Sequence, residues 1–156
     1  MLKDLFISKT RVKLLETFLC DPTQMYHVRD LVRKTAEEIN AVRRELARME
    51  SLDIVKKEPR GNRLYYWFRH DYIYYADLLS LVAKTTGLGV AIIKNRSKLG
   101  NVAICMLSGH FVRHLPRKQT DAVDLLIVGE INLSELTALV RAEEAKREQA
   151  INYTPM

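Results

Sequence analysis

Apolar positions recur with a helical period through the first fifty residues. Val12, Leu15, Phe18 and Leu19 form a stripe over residues 8–20. Ser8 can cap that helix, and Asp21-Pro22 stops it, because proline disfavours helix in the residue before it. Gln24–His27 leaves room for a small strand. Over Val28–Lys34, Val28, Leu31 and Val32 face inward while Arg29, Asp30 and Arg33 face outward. Ile39, Val42, Leu46 and Met49 then recur at i, i+3, i+7 and i+10, which predicts a third helix. Its other face carries Asn40, Arg43, Arg44 and Ala47. Thr35 and Glu38 have capping-box spacing, which would start this helix at Ala36. A turn over roughly residues 35–38 is the preferred alternative, since two helices meeting at a sharp angle need a few non-helical residues between them. After Leu52 the period becomes two. Ile54–Glu58 and Arg63–Phe68 read as strands joined by a Pro59-Arg60-Gly61-Asn62 turn.

The pattern changes again at His70-Asp71. Asp71 can cap a helix running to about Thr85. Tyr72, Ile73, Tyr75, Ala76, Leu78, Leu79, Leu81 and Val82 make it apolar on most sides. A helix apolar all round needs cover on every side. The expected cover is a second subunit, and the alternative is packing between the chain's own halves. Gly87-Leu-Gly89 breaks this helix, and a shorter one extends to Lys98. Val102–Leu107 and Ala122–Val128 are apolar, strand-like runs. Asn132-Leu-Ser-Glu135 opens a helix to about Gln149 on Leu133, Leu136, Leu139 and Val140. Ile151–Thr154 begins a last strand. The expected fold is therefore α+β: a helix-turn-helix with a hairpin over 1–70, a helical linker and dimerisation segment over 71–99, and a small α/β layer over 100–156.

The chain of 156 residues is 47% hydrophobic, enough for a real core. Its net charge of +6 is unevenly spread. Residues 1–70 hold 15 basic and 10 acidic side chains, and residues 71–156 hold 10 and 9. That asymmetry favours a polyanion partner for the first half. Cys20 and Cys105 have no CxxC or CxxH neighbours, which argues against a zinc site or disulfide framework and fits a reducing cytoplasm. No apolar signal region follows Met1, and no apolar run approaches the ~20 residues of a membrane span.

Four segments together resemble ArsR-like winged-helix transcriptional regulators: Ser8-Lys-Thr-Arg-Val-Lys-Leu-Leu, Val28-Arg-Asp-Leu-Val-Arg, Val42-Arg-Arg-Glu-Leu-Ala-Arg-Met-Glu-Ser-Leu-Asp-Ile-Val and Gly61-Asn-Arg-Leu-Tyr-Tyr. The resemblance spans residues 5–69 and implies a dimer bound to double-stranded DNA. Glu37 and Glu38 depart from it; they suit a helix dipole but repel phosphate. A helix fits the major groove, where arginine pairs with guanine and asparagine with adenine. Asn40, Arg43 and Arg44 are thus the candidates for base edges or nearby phosphates. Lys56, Lys57, Arg60 and Arg63 would meet phosphate or the minor groove from the wing. The competing account is a solvated helix face and a charged edge ribbon that prevents strand aggregation. Tyr65, Tyr66 and Trp67 either stack on bases or pack. With the cysteines so far apart, no metal-sensing cluster is expected.

Gly109-His110, Arg113 and the strand Ala122-Val-Asp124-Leu-Leu-Ile-Val-Gly resemble the minimal nucleotidyltransferase fold over residues 100–155. That family carries Gly-Ser, then Asp-x-Asp on the next strand, and holds metal ions on paired carboxylates. Residues i and i+2 of a strand share a face. Here that pair is Ala122 and Asp124, while Asp121 would point the other way, and no third carboxylate follows in Ile151–Met156. The expectation is a catalytically inactive, nucleotidyltransferase-like domain with no catalytic residues, no cofactor and no metal. His110 and His114 lie one helical turn apart, without a His-Glu-x-x-His pattern. The expected function is a cytoplasmic, dimeric, sequence-specific regulator, paired through residues 71–85. The rivals are an active nucleotidyltransferase using Asp124 and Asp121, and an antitoxin-like interaction module whose C-terminal domain holds a protein partner.

Overall fold

The computed structural model describes residues 7–115 and 122–156, and Asp121 lies outside the described residues. The chain mixes helix and sheet and divides into two compact units, 1–82 and 83–156.

The first unit opens with α1, Lys9–Cys20. Its Ser8 cap accepts the Arg11 N–H, and Asp21 ends it as Asp-Pro predicts. A two-residue strand β1, Tyr26–His27, leads into α2, Val28–Thr35. Ala36 then takes a left-handed conformation, and α3 runs Ile39–Ser51. The link is thus a tight turn, and the capping-box alternative is excluded. Thr35 is buried inside α2, its hydroxyl donating to the Leu31 carbonyl, so it caps nothing. Val42, Leu46 and Met49 are fully buried, which sets the orientation of α3.

The hairpin is tighter than the sequence indicates. Strands β2, Val55–Arg60, and β3, Arg63–Phe68, leave only Gly61-Asn62 as the turn, with Gly61 at φ +57. Pro59 and Arg60 belong to β2, opposite Leu64 and Arg63. Proline survives there because the sheet order is β1-β3-β2, so β2 is an edge that needs no N–H on its open side. Tyr26 packs edge-on against Phe18, and burial pushes its phenol up to about 12.

Helix α4 is Tyr75–Thr85, starting three residues later than Asp71 as cap would require. Asp71 instead pairs with Arg69 at 2.7 Å, and Arg69 also reaches Asp53 at 2.8 Å. Leu79 and Val82 of α4 are buried, while Ile73 and Tyr74 ahead of it are exposed.

The second unit holds α5 (Gly87–Lys94), α6 (Arg96–Leu99), β4 (Gly100–Leu107), α7 (Gly109–Val112), β5 (Leu125–Ile131), α8 (Leu133–Arg147) and β6 (Tyr153–Pro155). Its sheet order is β4-β5-β6, with β4 antiparallel and β6 parallel to β5. Leu88 and Ile92 of α5, Leu136 and Val140 of α8, and Leu99, Phe111, Leu125, Ile127 and Ile151 form the core. Asn132 caps α8 as its spacing predicts, accepting from the Ser134 and Glu135 N–H groups. A bulge in β4 between Val102 and Ile104 lies opposite Gly129, where φ is +141 and a Cβ would come 3.0 Å from the Ala103 nitrogen. Among the described residues, no helix is long and apolar enough to cross a membrane.

The Arg69 guanidinium beside Asp71 holds its carboxyl down, from 3.8 to about 2. A depressed carboxylate adds stability that is complete above its unfolded value and fades as pH falls through about 2. Asp71 is solvent-exposed, so screening keeps the effect small. The denaturant midpoint of Asp71→Asn is expected to lie slightly below wild type at neutral pH and to converge with it as pH falls from 3.8 toward 2; a constant gap across that range refutes the linkage.

Candidate functional site

The exposed face of α3 is fixed by what the buried face holds. Glu45 sits among the buried residues and bonds Arg11 of α1 at 2.9 Å and Arg48 at 3.3 Å. Lys13 of α1 reaches both the Thr35 carbonyl and Glu37, which secures the α2–α3 turn. Glu37 therefore faces a lysine and Thr10. Glu38 is the N-cap itself, its carboxylate accepting from the Asn40 and Ala41 N–H groups at 2.8 and 3.0 Å. Those backbone bonds, followed by nearby Arg44 and Arg43, hold its carboxyl below the usual range. Both carboxylates that depart from the ArsR-like pattern are thus partly neutralised by their surroundings.

Asn40, Arg43 and Arg44 project from this anchored helix. All three are exposed, and their side chains make no hydrogen bond or ion pair among the described residues. They lie on one face at helical spacing, with Ala47 a turn further on.

The four wing cations divide by strand alternation. Lys56 and Arg60 share a face of β2 with Glu58, opposite Trp67, Arg63 and Tyr65. Arg60 and Arg63 are directly paired at the hairpin tip, and Arg60 also pairs with Glu58 at 3.3 Å and lies over the Tyr65 ring. Lys57 lies on the other face and bonds Glu50 of α3 at 2.8 Å, the main cause of its raised pKa. Burial pushes the Tyr66 phenol up, while Lys57 and Arg43 act on it in the opposite sense. Lys57 stands opposite Tyr66 across the hairpin, and Arg43 of α3 is near enough to act electrostatically on the same phenol. Tyr66 is buried and Tyr65 and Trp67 half-buried, so packing accounts for much of each ring. The anchors Arg11 and Lys13 and the capping role of Glu38 escaped sequence reasoning. Arg11 and Lys13 meet partners more than twenty residues away, and only the suitability of Glu38 near a helix start was legible.

In the second unit, Asp124 is buried at 4% exposure. Its carboxylate accepts the Asn152 N–H at 2.9 Å, its own N–H donates to the Asn152 carbonyl at 2.8 Å, and its carbonyl accepts the Ser108 N–H at 2.8 Å. Asp124 thereby joins the start of β5 to the chain entering β6. Ser108, just ahead of Gly109-His110, caps α7 by accepting the Phe111 N–H. His110 lies within α7, whereas His114 lies beyond the end of that helix at Val112, at φ +55. No group of three or more His, Cys, Asp or Glu side chains is placed to hold a metal among the described residues.

Comparison with protein-family models, curated proteins and solved structures finds no match to the chain.

Replacing Asp124 by Ala leaves the Asn152 N–H without its carboxylate. Asp124→Ala is expected to lower stability by about 1–3 kcal/mol, while Asp124→Asn, which keeps an acceptor, retains most of it. Denaturant unfolding of both variants checks this; equal stability of Asp124→Ala and wild type refutes the structural role.

Proposed function

We propose that this chain is a dimeric, sequence-specific DNA-binding transcriptional regulator whose first unit is a winged helix-turn-helix. The observation that carries the reading is the outward face of α3, where Asn40, Arg43 and Arg44 are exposed and, among the described residues, without hydrogen-bond or ion-pair partners, with a cationic hairpin following in the chain. Three helices followed by a hairpin, with sheet order β1-β3-β2, support the winged-helix assignment. In this reading α3 enters the major groove, Arg43 and Arg44 take guanine edges or phosphates, and Asn40 takes adenine or a phosphate near the helix start. Lys56, Arg60 and Arg63 on one face of the wing meet the backbone or minor groove, and Lys57 braces the wing against α3 through Glu50. Two-fold DNA half-sites call for a two-fold protein. The 71–85 segment would supply the pairing, with Ile73 at 79% and Tyr74 at 57% exposure. A cytoplasmic setting suits the exposed cysteines.

The second unit is proposed as a nucleotidyltransferase-like layer without transfer activity. A central β5 between β4 and a parallel β6 supports the likeness. The local bonds of Asp124 and the absence of a carboxylate at Ala122 argue against the enzyme alternative.

Affinity for the chain's own upstream DNA is expected to exceed that for random DNA and to fall steeply with salt, because each neutralised phosphate releases counterions. Arg43→Ala and Arg44→Ala should each weaken specific binding by about 1–3 kcal/mol, roughly 5- to 150-fold, if they reach base edges. Arg63→Ala should weaken all DNA alike and reduce the salt slope by about one. Fluorescence anisotropy at two salt concentrations measures these changes. Unchanged affinity in both α3 variants refutes the recognition-helix assignment.

A further inference from the structure

From Asp30 to Glu58 the chain carries seven carboxylates. Asp30, Glu37, Glu45, Glu50, Asp53 and Glu58 each form an ion pair with a lysine or arginine. Glu38 is the exception among the described residues, and it is exposed. An unpaired negative charge beside a face that meets a polyanion works against binding unless it finds a hydrogen-bond donor there.

The fold holds that charge in a defined place. Ala36 takes a left-handed conformation, and Lys13 bonds the Thr35 carbonyl and Glu37, so the chain enters α3 along a fixed path. The Glu38 backbone is extended, and its side chain turns back over the first turn of the helix. Oε2 accepts both the Asn40 and the Ala41 N–H, at 2.8 and 3.0 Å. These are among the N–H groups that α3 cannot satisfy internally, and they point out past its N-terminus. The carboxylate therefore sits at the tip of α3, within electrostatic reach of Arg44 and Arg43. Its other oxygen, Oε1, has no hydrogen-bond partner among the described residues.

In a helix-turn-helix complex the N-terminal residues of the recognition helix meet base edges. An ionised carboxylate at that point can only accept. Phosphate oxygens, guanine O6 and N7 and thymine O4 are acceptors too, and they repel it. Two groups donate in the major groove, the adenine N6 and cytosine N4 amines. Adenine sets its N7 acceptor beside the amine, whereas cytosine offers no acceptor there. We infer that Glu38 is a base-reading residue that selects cytosine, Oε1 accepting from the N4 amine while Oε2 stays on the helix cap. This rests on the reading of α3 as the recognition helix. The cap sharpens the selection, because a carboxylate tied by two backbone bonds cannot swing away from a wrong base without uncapping α3.

The test is selection of duplexes from a random library by the full chain, followed by anisotropy on the selected site. Wild type should require cytosine at one position of the half-site, any other base there weakening binding by about 5- to 150-fold. Glu38→Gln keeps an acceptor for the cap; it should lose that one preference and keep the others, which also shows that it folds. Removing a negative charge raises affinity for any DNA, so the readout is base preference rather than affinity. A second measurement needs no variant: replacing the selected cytosine by a pyrimidinone that lacks the N4 amine should weaken wild type as a base change does. A Glu38→Gln selection identical to that of wild type, a selected site without cytosine, or amine removal that wild type tolerates at every selected cytosine overturns the assignment of Glu38 and leaves the recognition helix standing. A wild type that selects no sequence overturns the DNA-reading proposal itself, so the two failures are distinguishable.

Discussion

Everything exposed on α3 depends on what its other face must bury. Val42, Leu46 and Met49 have no access to solvent, and removing such side chains from water is worth about 1.5–3 kcal/mol each. That burial fixes the rotation of the helix about its axis and leaves Asn40, Arg43 and Arg44 outside. Glu45 lies on the buried side and carries a charge, so it needs partners, and Arg11 and Arg48 supply them. Lys13 holds the preceding turn through Thr35 and Glu37. The cationic face is therefore presented by a helix tied down along its length. Ordered side chains on such a rigid element lose less entropy on binding than side chains on a mobile loop.

The second unit shows the opposite economy. The helices of this unit pack on the Leu125 and Ile127 side of β5. Leu125 and Ile127 enter the core, while Ile104 and Met106 of the neighbouring strand remain substantially in water. The carboxylate at the head of β5 accepts a hydrogen bond from the Asn152 N–H. A buried acid already holding a backbone N–H is a poor start for a two-metal centre, which needs several carboxylates free to face the ions. The Asp124 carboxylate is thus engaged within the unit's own fold, while Ile104 and Met106 of β4 remain exposed.

Much of this was open to inspection in the sequence, for a physical reason. Helix periods, the Ser8 and Asn132 caps, the Asp21-Pro22 stop and the change to strand period at residue 54 are all local, set by contacts within a few residues. They determined α1, α2, α3, the hairpin, β4 and α8, and they put Asn40, Arg43 and Arg44 on the polar side of α3. The same local terms placed Ala122 and Asp124 at the spacing where a second carboxylate is missing.

Where two local signals competed, tertiary structure decided. Thr35 had the spacing of a cap, yet burial beneath α2 took its hydroxyl for Leu31, and Glu38 became the cap. Asp71 had the position of a cap, yet Arg69, itself tied to Asp53, claimed its carboxylate and delayed α4 to Tyr75. Pro59 and Arg60 had turn composition, yet pairing with Leu64 and Arg63 drew them into an edge strand where a missing N–H costs nothing. The pairing of Lys57 with Glu50, the anchoring of Glu45 by Arg11 and the open edge of β4 join positions that no periodicity relates. Sequence determined which residues are apolar and which are charged; only the packed chain decided which charges are already engaged and which surfaces remain open.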